Sequence, residues 1–300
     1  MKKLLLIVIA IMLGVGFVSS DTYAAPITSG SYRHEQNKIA RGEVKQIKKL
    51  FELHSAFANK HDIAGLKGLY DDNYINSDGF DKKSYFKTVE ETWEECKDLI
   101  YATHILSITL NGNYADVSVE ERALGTTFDK VDSLAVAGEI HAVSTSIYHL
   151  VRKNGKWLIS GETMQSDKSY LLYGDARFMN IDLSAPNQVA AGETYTITVS
   201  ADADEDTVII GSIEHDPVTY PSVTPNAPLR TMPSSNVLER FIKANNDNIN
   251  EYAVASLAIS KSQTDKFDNF RVYMAGLACI MQRVNVVPKN NFIKYEDEKK

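Results

Sequence analysis

From Glu43 onward, apolar residues return at helical spacing. Val44, Ile47, Leu50/Phe51, His54 and Phe57/Ala58 fall on one face, with a histidine among them. His61-Asp62 then caps a shorter helix whose apolar face is Ile63, Leu66 and Leu69/Tyr70. The next stretch, YDDNYINSDG (70–79), is polar and rich in turn residues, and Asp78-Gly79 is placed to make the turn. Asp81 caps a third helix, with Tyr85, Val89, Trp93 and Cys96 at helical spacing.

Beyond Asp98 the period shortens to two. Strands are expected at 101–110 and 114–126, joined by Asn111-Gly112-Asn113, and at 140–152 and 157–164, joined by Lys153-Asn154-Gly155-Lys156. Three helices followed by a four-strand meander describe an α+β domain over 41–173, with 25–40 a disordered lead-in and 170–177 a linker. Strands alone follow, at 178–183, 194–200, 207–213, 237–243, 252–260 and 270–287, which describes an all-β sandwich over 174–293. Gly276 marks a bulge or bend in the long last strand. Five of the eight prolines fall in 217–233, which is therefore an irregular excursion. The chain ends in a charged tail, 294–300.

The order helix, helix, YDDNYINSDG, helix, hairpin, and then STSIYHLVRKNGKWLIS resembles the nuclear transport factor 2-like superfamily, with its SnoaL-like and ketosteroid isomerase-like members. VRKNGKWLI is the most specific part of that likeness. The resemblance covers about residues 40–170 and implies an α+β cone fold: three helices on a curved antiparallel sheet enclosing a cavity. It places 70–79 beside the cavity mouth, with Tyr70 and Tyr74 facing inward. APNQVAAGETYTITVSAD and RVYMAGLACIMQRVNVVP resemble immunoglobulin-like β-sandwiches.

Composition changes this picture at the N-terminus. Lys2 and Lys3 precede an uncharged apolar run, Leu4 to Val18, too short to span a bilayer comfortably, and SSDTYAA follows. This reads as a signal peptide, 1–24, cut after Ala24, the alternative being a retained N-terminal anchor, so the protein is expected to be exported, periplasmic or secreted, with no transmembrane segment after cleavage. A net charge of −7 leaves no broad basic surface for nucleic acid. Cys96 and Cys279, the only cysteines, fall in different predicted domains and read as two buried thiols.

The chain carries no H-E-x-x-H, G-x-S-x-G, phosphate loop or dinucleotide fingerprint, and no cofactor is expected. The candidate ligand-binding residues are Tyr70, Tyr74, His54, Tyr85, Glu121 and His141. On the strand 139–151 the set His141, Val143, Thr145, Ile147, His149 shares one face, and the set Ile140, Ala142, Ser144, Ser146, Tyr148, Leu150 the other; neither is clearly apolar. His104, Glu121 and His141 are types that bind metal, but nothing in their spacing requires a metal site. Asp202-Ala203-Asp204-Glu205-Asp206 lacks the glycine and glutamate of a calcium loop and reads as a hairpin tip. Isomerase-like chemistry needs an Asp base and a Tyr–Asp acid pair. Tyr70, Tyr74, Tyr85 and Asp78 supply the types without assignable roles.

The first functional reading is an exported, non-enzymatic binding protein whose cavity takes a small apolar or amphipathic ligand or a protein partner. The second is a SnoaL/isomerase-type enzyme using a His or Asp in that cavity. The third is a structural envelope protein assembling through sheet surfaces, for which the cone-domain sheet is the natural homodimer face.

Overall fold

The computed structural model of the protein describes residues 30–131, 134–204, 206–220, 230–233, 235–264 and 270–289. The expected signal peptide and charged tail, Glu205 of the acidic loop and most of the proline-rich excursion lie outside them.

Three helices form the N-terminal layer: α1 (Gly30–Ala58), α2 (Ile63–Lys67) and α3 (Lys82–Glu95). The expected apolar face of α1 is buried, with Val44, Ile47, Leu50, Phe51, His54 and Ala58 turned inward. The helix begins earlier than its apolar period does. Residues 30–40, expected as a disordered lead-in, are helical backbone. A polar segment can prolong a helix whose later turns are docked, because propagation costs far less than nucleation. Both predicted caps form: Asp62 Oδ1 accepts from Gly65 N at 2.9 Å and Asp81 Oδ1 from Ser84 N at 2.8 Å. Among the described residues no helix is long and apolar enough to cross a membrane.

The polar stretch after α2 is only partly a turn. Its first seven residues are strand β1 (Tyr70–Asn76), and Ser77 to Phe80 turn the chain toward α3. Asn76 Oδ1 organises that turn by accepting from Asp78 N (3.1 Å) and Phe80 N (2.8 Å).

The meander follows as β2 (Ile100–Asn111), β3 (Tyr114–Val131), β4 (Leu134–Lys153) and β5 (Lys156–Gly174). Asn154 and Gly155 both have positive φ, +51° and +77°, as a two-residue hairpin turn matched to strand twist requires. β5 is far longer than its sequence pattern suggests. Residues 170–174, read as linker, are its last five. The cause is a bulge at Gln165: Thr145 pairs with Ser166, but Ser146 pairs with Met164. Glu162 and Met164 face inward before it, and Asp167, Ser169 and Leu171 after it. The shift of phase breaks the period of two and hides the continuation.

The rest of the chain adds β6 (Ile181–Ser184), β7 (Gln188–Ala190), β8 (Thr194–Ala201), β9 (Thr207–Pro217), β10 (Arg230–Thr231), β11 (Val237–Lys243), β12 (Glu251–Thr264) and β13 (Phe270–Val287). β13 does not belong to a separate sandwich. It pairs with the distal part of β5, Leu171 opposite Cys279 and Ser169 opposite Met281. One ten-stranded sheet results, in the order β10-β9-β12-β13-β5-β4-β3-β2, with β1 parallel to β5 and β7 parallel to β13. The expected α+β cone fold followed by an independent all-β sandwich is therefore corrected. The protein is mostly strand, and a single large sheet carries both halves.

Two cores lie on opposite faces of that sheet. The helices cover one face at the N-terminal end, and Tyr252, Val254, Met281 and Val218 join this core from the far half. A three-stranded sheet, β11-β8-β6, supplies side chains to the second core, on the other face. β12 is shared: Tyr252 and Val254 point into the first core, and Ala253, Ala255, Leu257 and Ile259 into the second. Strands covered on both faces read as unbroken apolar runs, which is why YAVASLAI shows no alternation. The bulge expected near Gly276 is present: Ile259 pairs with Gly276 and Ser260 with Met274, leaving Ala275 as the extra residue.

Candidate functional site

The buried face of the meander is unusually polar. Cross-strand pairing places Thr103, Glu121, Ser144 and Asp167 in one row across β2, β3, β4 and β5. Gln282 pairs with Lys168, so Arg283 of β13 comes next beside Asp167; Tyr252 pairs with Arg283, and Asp216 with Tyr252. All seven side chains are buried. Such a row is expensive in a core unless each group has a partner.

Some of its members are fully satisfied. Glu121 accepts from Thr103 Oγ1 at 3.2 Å and from Tyr148 OH at 3.0 Å. Arg283, 1% exposed, makes a bidentate pair with Asp78, Nη2 to Oδ1 at 2.6 Å and Nη1 to Oδ2 at 3.0 Å. Asn250 Nδ2 donates to the same Asp78 Oδ1 at 2.7 Å. The turn after β1 is thus locked onto β12 and β13. Asn285 Nδ2 to Gln165 O (2.7 Å) and Tyr220 OH to Glu91 Oε1 (3.0 Å) tie the halves further.

Others are left over. Glu162 Oε1, both carboxyl oxygens of Asp167, and the hydroxyls of Ser144, Ser146 and Ser169 are buried without a hydrogen bond of ordinary geometry. They stand on adjoining strands: Tyr148 is opposite Glu162, Ser146 opposite Met164, Ser144 opposite Asp167, Ala142 opposite Ser169. Burial pushes the Glu162 carboxyl up to about 7, against the easing effect of nearby Ser146. Burial pushes Asp167 up to about 8, although Arg283 and Tyr252 favour its charge.

Aromatic rings from β1, α1 and α3 face this floor. Tyr70 packs edge-on against Tyr74, ring centroids 5.0 Å apart, and Tyr74 lies 5.2 Å from Tyr85. Tyr70 OH is 2.8 Å from His54 Nε2 and 3.4 Å from Tyr85 OH. Tyr74 OH reaches Glu162 Oε2 at 3.5 Å. Burial holds all these phenols well above their ordinary range. It also pushes His54 down to about 3, so the imidazole is neutral at pH 7.

Of the residues picked from sequence, His54, Tyr70, Tyr74 and Tyr85 meet in one aromatic cluster, and Glu121 lines the adjoining sheet through Tyr148. His141 does not join them. It is on the opposite, solvent-facing side of β4, 3.6 Å from Glu139. The inward set is Ile140, Ala142, Ser144, Ser146, Tyr148 and Leu150. Serines and a tyrosine made that face look as wet as the other. The His104, Glu121, His141 trio falls apart for the same reason, since Glu121 is buried while His104 and His141 reach solvent on the outer face. Glu162, Asp167, Asp78 and Arg283 were not singled out as a group. The bulge hid Asp167, and 205 residues of sequence separate Asp78 from Arg283.

A second polar chain lies outside this site. Asp116 Oδ1 is 2.7 Å from His149 Nδ1, and His149 Nε2 is 3.0 Å from Thr163 Oγ1. The order resembles an acid–base relay. With Asp116 and His149 open to water at 60% and 43%, it is a cross-strand ladder on an exposed face.

No protein-family profile matches the chain, and no curated protein does. Among solved structures it is similar to a candidate scytalone dehydratase from Novosphingobium aromaticivorans DSM 12444, at 14% identity over 44% of this chain and 87% of that one, TM-score 0.36. It is also similar to a hexachlorocyclohexane dehydrochlorinase, LinA type 3, from Novosphingobium barchaimii LL02, at 18% identity over 43% and 88%, TM-score 0.34. A type 2 LinA gives 14% identity, 43%, 87% and 0.35. Likenesses this weak carry no reaction over to this chain.

Proposed function

We propose that the protein is an exported binding protein whose N-terminal half holds a small amphipathic molecule between the tyrosine cluster and the polar floor of β4 and β5. The observation that carries this reading is the gathering of buried, unpartnered polar atoms at Glu162, Asp167, Ser144, Ser146 and Ser169. Each such atom costs about 1–3 kcal/mol when left without a partner, so a guest that supplies partners recovers that cost. The interior is closed over in this structure, with Tyr70, Tyr74, Tyr85 and Glu162 all buried, so on this reading a guest enters only after the layer above it opens.

A second reading, acid–base catalysis, is favoured by the burial of Glu162 beside Tyr74 OH, which pushes its carboxyl up to about 7, where a general acid or base is most effective. His54, at about 3, suits that role poorly. Native mass spectrometry of the mature protein from its own host tests the binding reading. A bound small molecule lost in a Tyr74→Ala variant is expected. Protein that emerges guest-free, with an interior holding only water by neutron or high-resolution crystallography, would overturn it. Turnover of the recovered molecule that Glu162→Gln abolishes would move the reading to an enzyme.

A further inference from the structure

The unpartnered groups around Glu162 include three carboxyl oxygens, of Glu162 and Asp167, three serine hydroxyls that can serve either way, and the amide donor Asn76 Nδ2. The one buried guanidinium nearby is spent. Arg283 gives Nη1 and Nη2 to Asp78, Nε to Asn285 Oδ1 at 2.7 Å, and also lies 3.7 Å from Met164 Sδ. Asp78 and Arg283 pair with each other, Glu121 is held by two hydroxyl donors, and among the described residues Glu162 forms no ion pair, Arg283 acting on it only through space.

Its surroundings are aromatic. Tyr74 OH touches Glu162 at 3.5 Å, Tyr148 pairs with it across the strands, and Tyr70 and Tyr85 pack on Tyr74. A carboxylate with a free oxygen, a hydroxyl at Ser146 beside it, and several aromatic rings form a setting that an ammonium group matches on every side. It brings three donors and a positive charge, and aromatic faces attract cations.

Resting on the binding reading above, we infer that the guest is a protonated amine, its ammonium on Glu162 and its apolar body among Tyr70, Tyr74 and Tyr85. Binding then requires Glu162 ionised. Because burial holds that carboxyl near 7 in the empty protein, the complex forms with release of a proton. Affinity therefore rises as the pH goes from 6 to 8, until the amine itself begins to lose its charge.

The test is calorimetric titration of the full mature protein with three isosteric probes: 2-phenylethylamine, 2-phenylethanol and phenylacetate. The amine is expected to bind at least about tenfold more tightly than the alcohol, the worth of one charge-assisted hydrogen bond. It should release close to one proton at pH 6, measured by repeating the titration in buffers of different ionisation enthalpy. Glu162→Gln should weaken the amine about tenfold or more and the alcohol several-fold less than the amine, so that the preference for the amine is lost. The proton count needs no variant, so it stands even if that substitution perturbs folding. Equal or tighter binding of the alcohol or of phenylacetate would overturn the amine assignment and leave the binding reading intact. Amine binding without proton release would overturn it as well. If none of the three binds at millimolar concentration, the amine assignment falls. If the protein from its host is also guest-free, the binding reading falls with it.

Discussion

Replacing Asp78 by alanine should unfold the two halves together. Asp78 comes from the turn after β1, and its partner Arg283 from β13, near the other end of the chain. Both side chains are nearly inaccessible, at 4% and 1% exposed. The substitution removes two charge-assisted bonds to Arg283 and one from Asn250. It also leaves a guanidinium buried without its carboxylate. Breaking a buried pair from one side costs about 3–5 kcal/mol, most of it from the stranded charge. With a urea slope of about 3 kcal/mol/M, the midpoint falls by roughly 1 M or more.

The protein carries its own reporter for this experiment. Its two tryptophans, Trp93 and Trp157, both lie in the first core, so fluorescence follows the N-terminal half. Far-UV circular dichroism follows the whole sheet. In Asp78→Ala both midpoints should fall by the same amount. Adding Arg283→Met should recover a large part of the loss, because the stranded charge is gone. A loss below about 1 kcal/mol, or a dichroism midpoint that moves while fluorescence stays, would refute the shared core and restore two independent domains.

Three further outcomes follow from buried groups and from the backbone. Glu162 and Asp167 have folded values raised to about 7 and 8, so the stability they allow is fully present below the ordinary carboxyl range and is lost as pH rises toward those values. His54, depressed to about 3, acts oppositely, but only below about 6.5. The melting temperature should therefore fall between pH 6.5 and 8, and less so in Asp167→Asn; a flat profile there would contradict the burial argument. Among the described residues Tyr70 OH is the partner of His54 Nε2 and Nδ1 has none, so Tyr70→Phe should cost about 1–3 kcal/mol in urea titrations. Adding His54→Leu should cost much less than the sum of the singles. Gly174→Ala combines φ of +56° with a new methyl that collides with Ala275 O, whereas Gly112→Ala, at φ +61°, meets nothing within 4 Å. The first should lower the melting temperature well beyond the second, which costs only the left-handed penalty of about 1–2 kcal/mol.

The local elements were legible in the sequence because their causes are local. The α3 cap at Asp81, the apolar face of α1, the Asn154-Gly155 turn and the limits of β11 and β13 each depend on residues within a few positions of one another. The burial of His54 and Tyr85 was legible for the same reason, from their helical spacing among apolar residues, whereas Tyr70 and Tyr74 were read as inward-facing through the resemblance of 70–79. Three things were decided only in three dimensions. One extra residue at Gln165 reversed which side of β5 faces inward, so the chain after it no longer alternated in phase and passed for a linker. The inward side of β4 is carried by Ser144, Ser146 and Tyr148, so hydropathy could not separate it from the side that bears His141. The joining of the halves depends on β5 meeting β13 and Asp78 meeting Arg283, contacts made across about a hundred residues or more. Sequence patterns record what each residue needs from its neighbours in the chain; which distant strand or counter-charge meets that need is settled by the packing of the whole sheet.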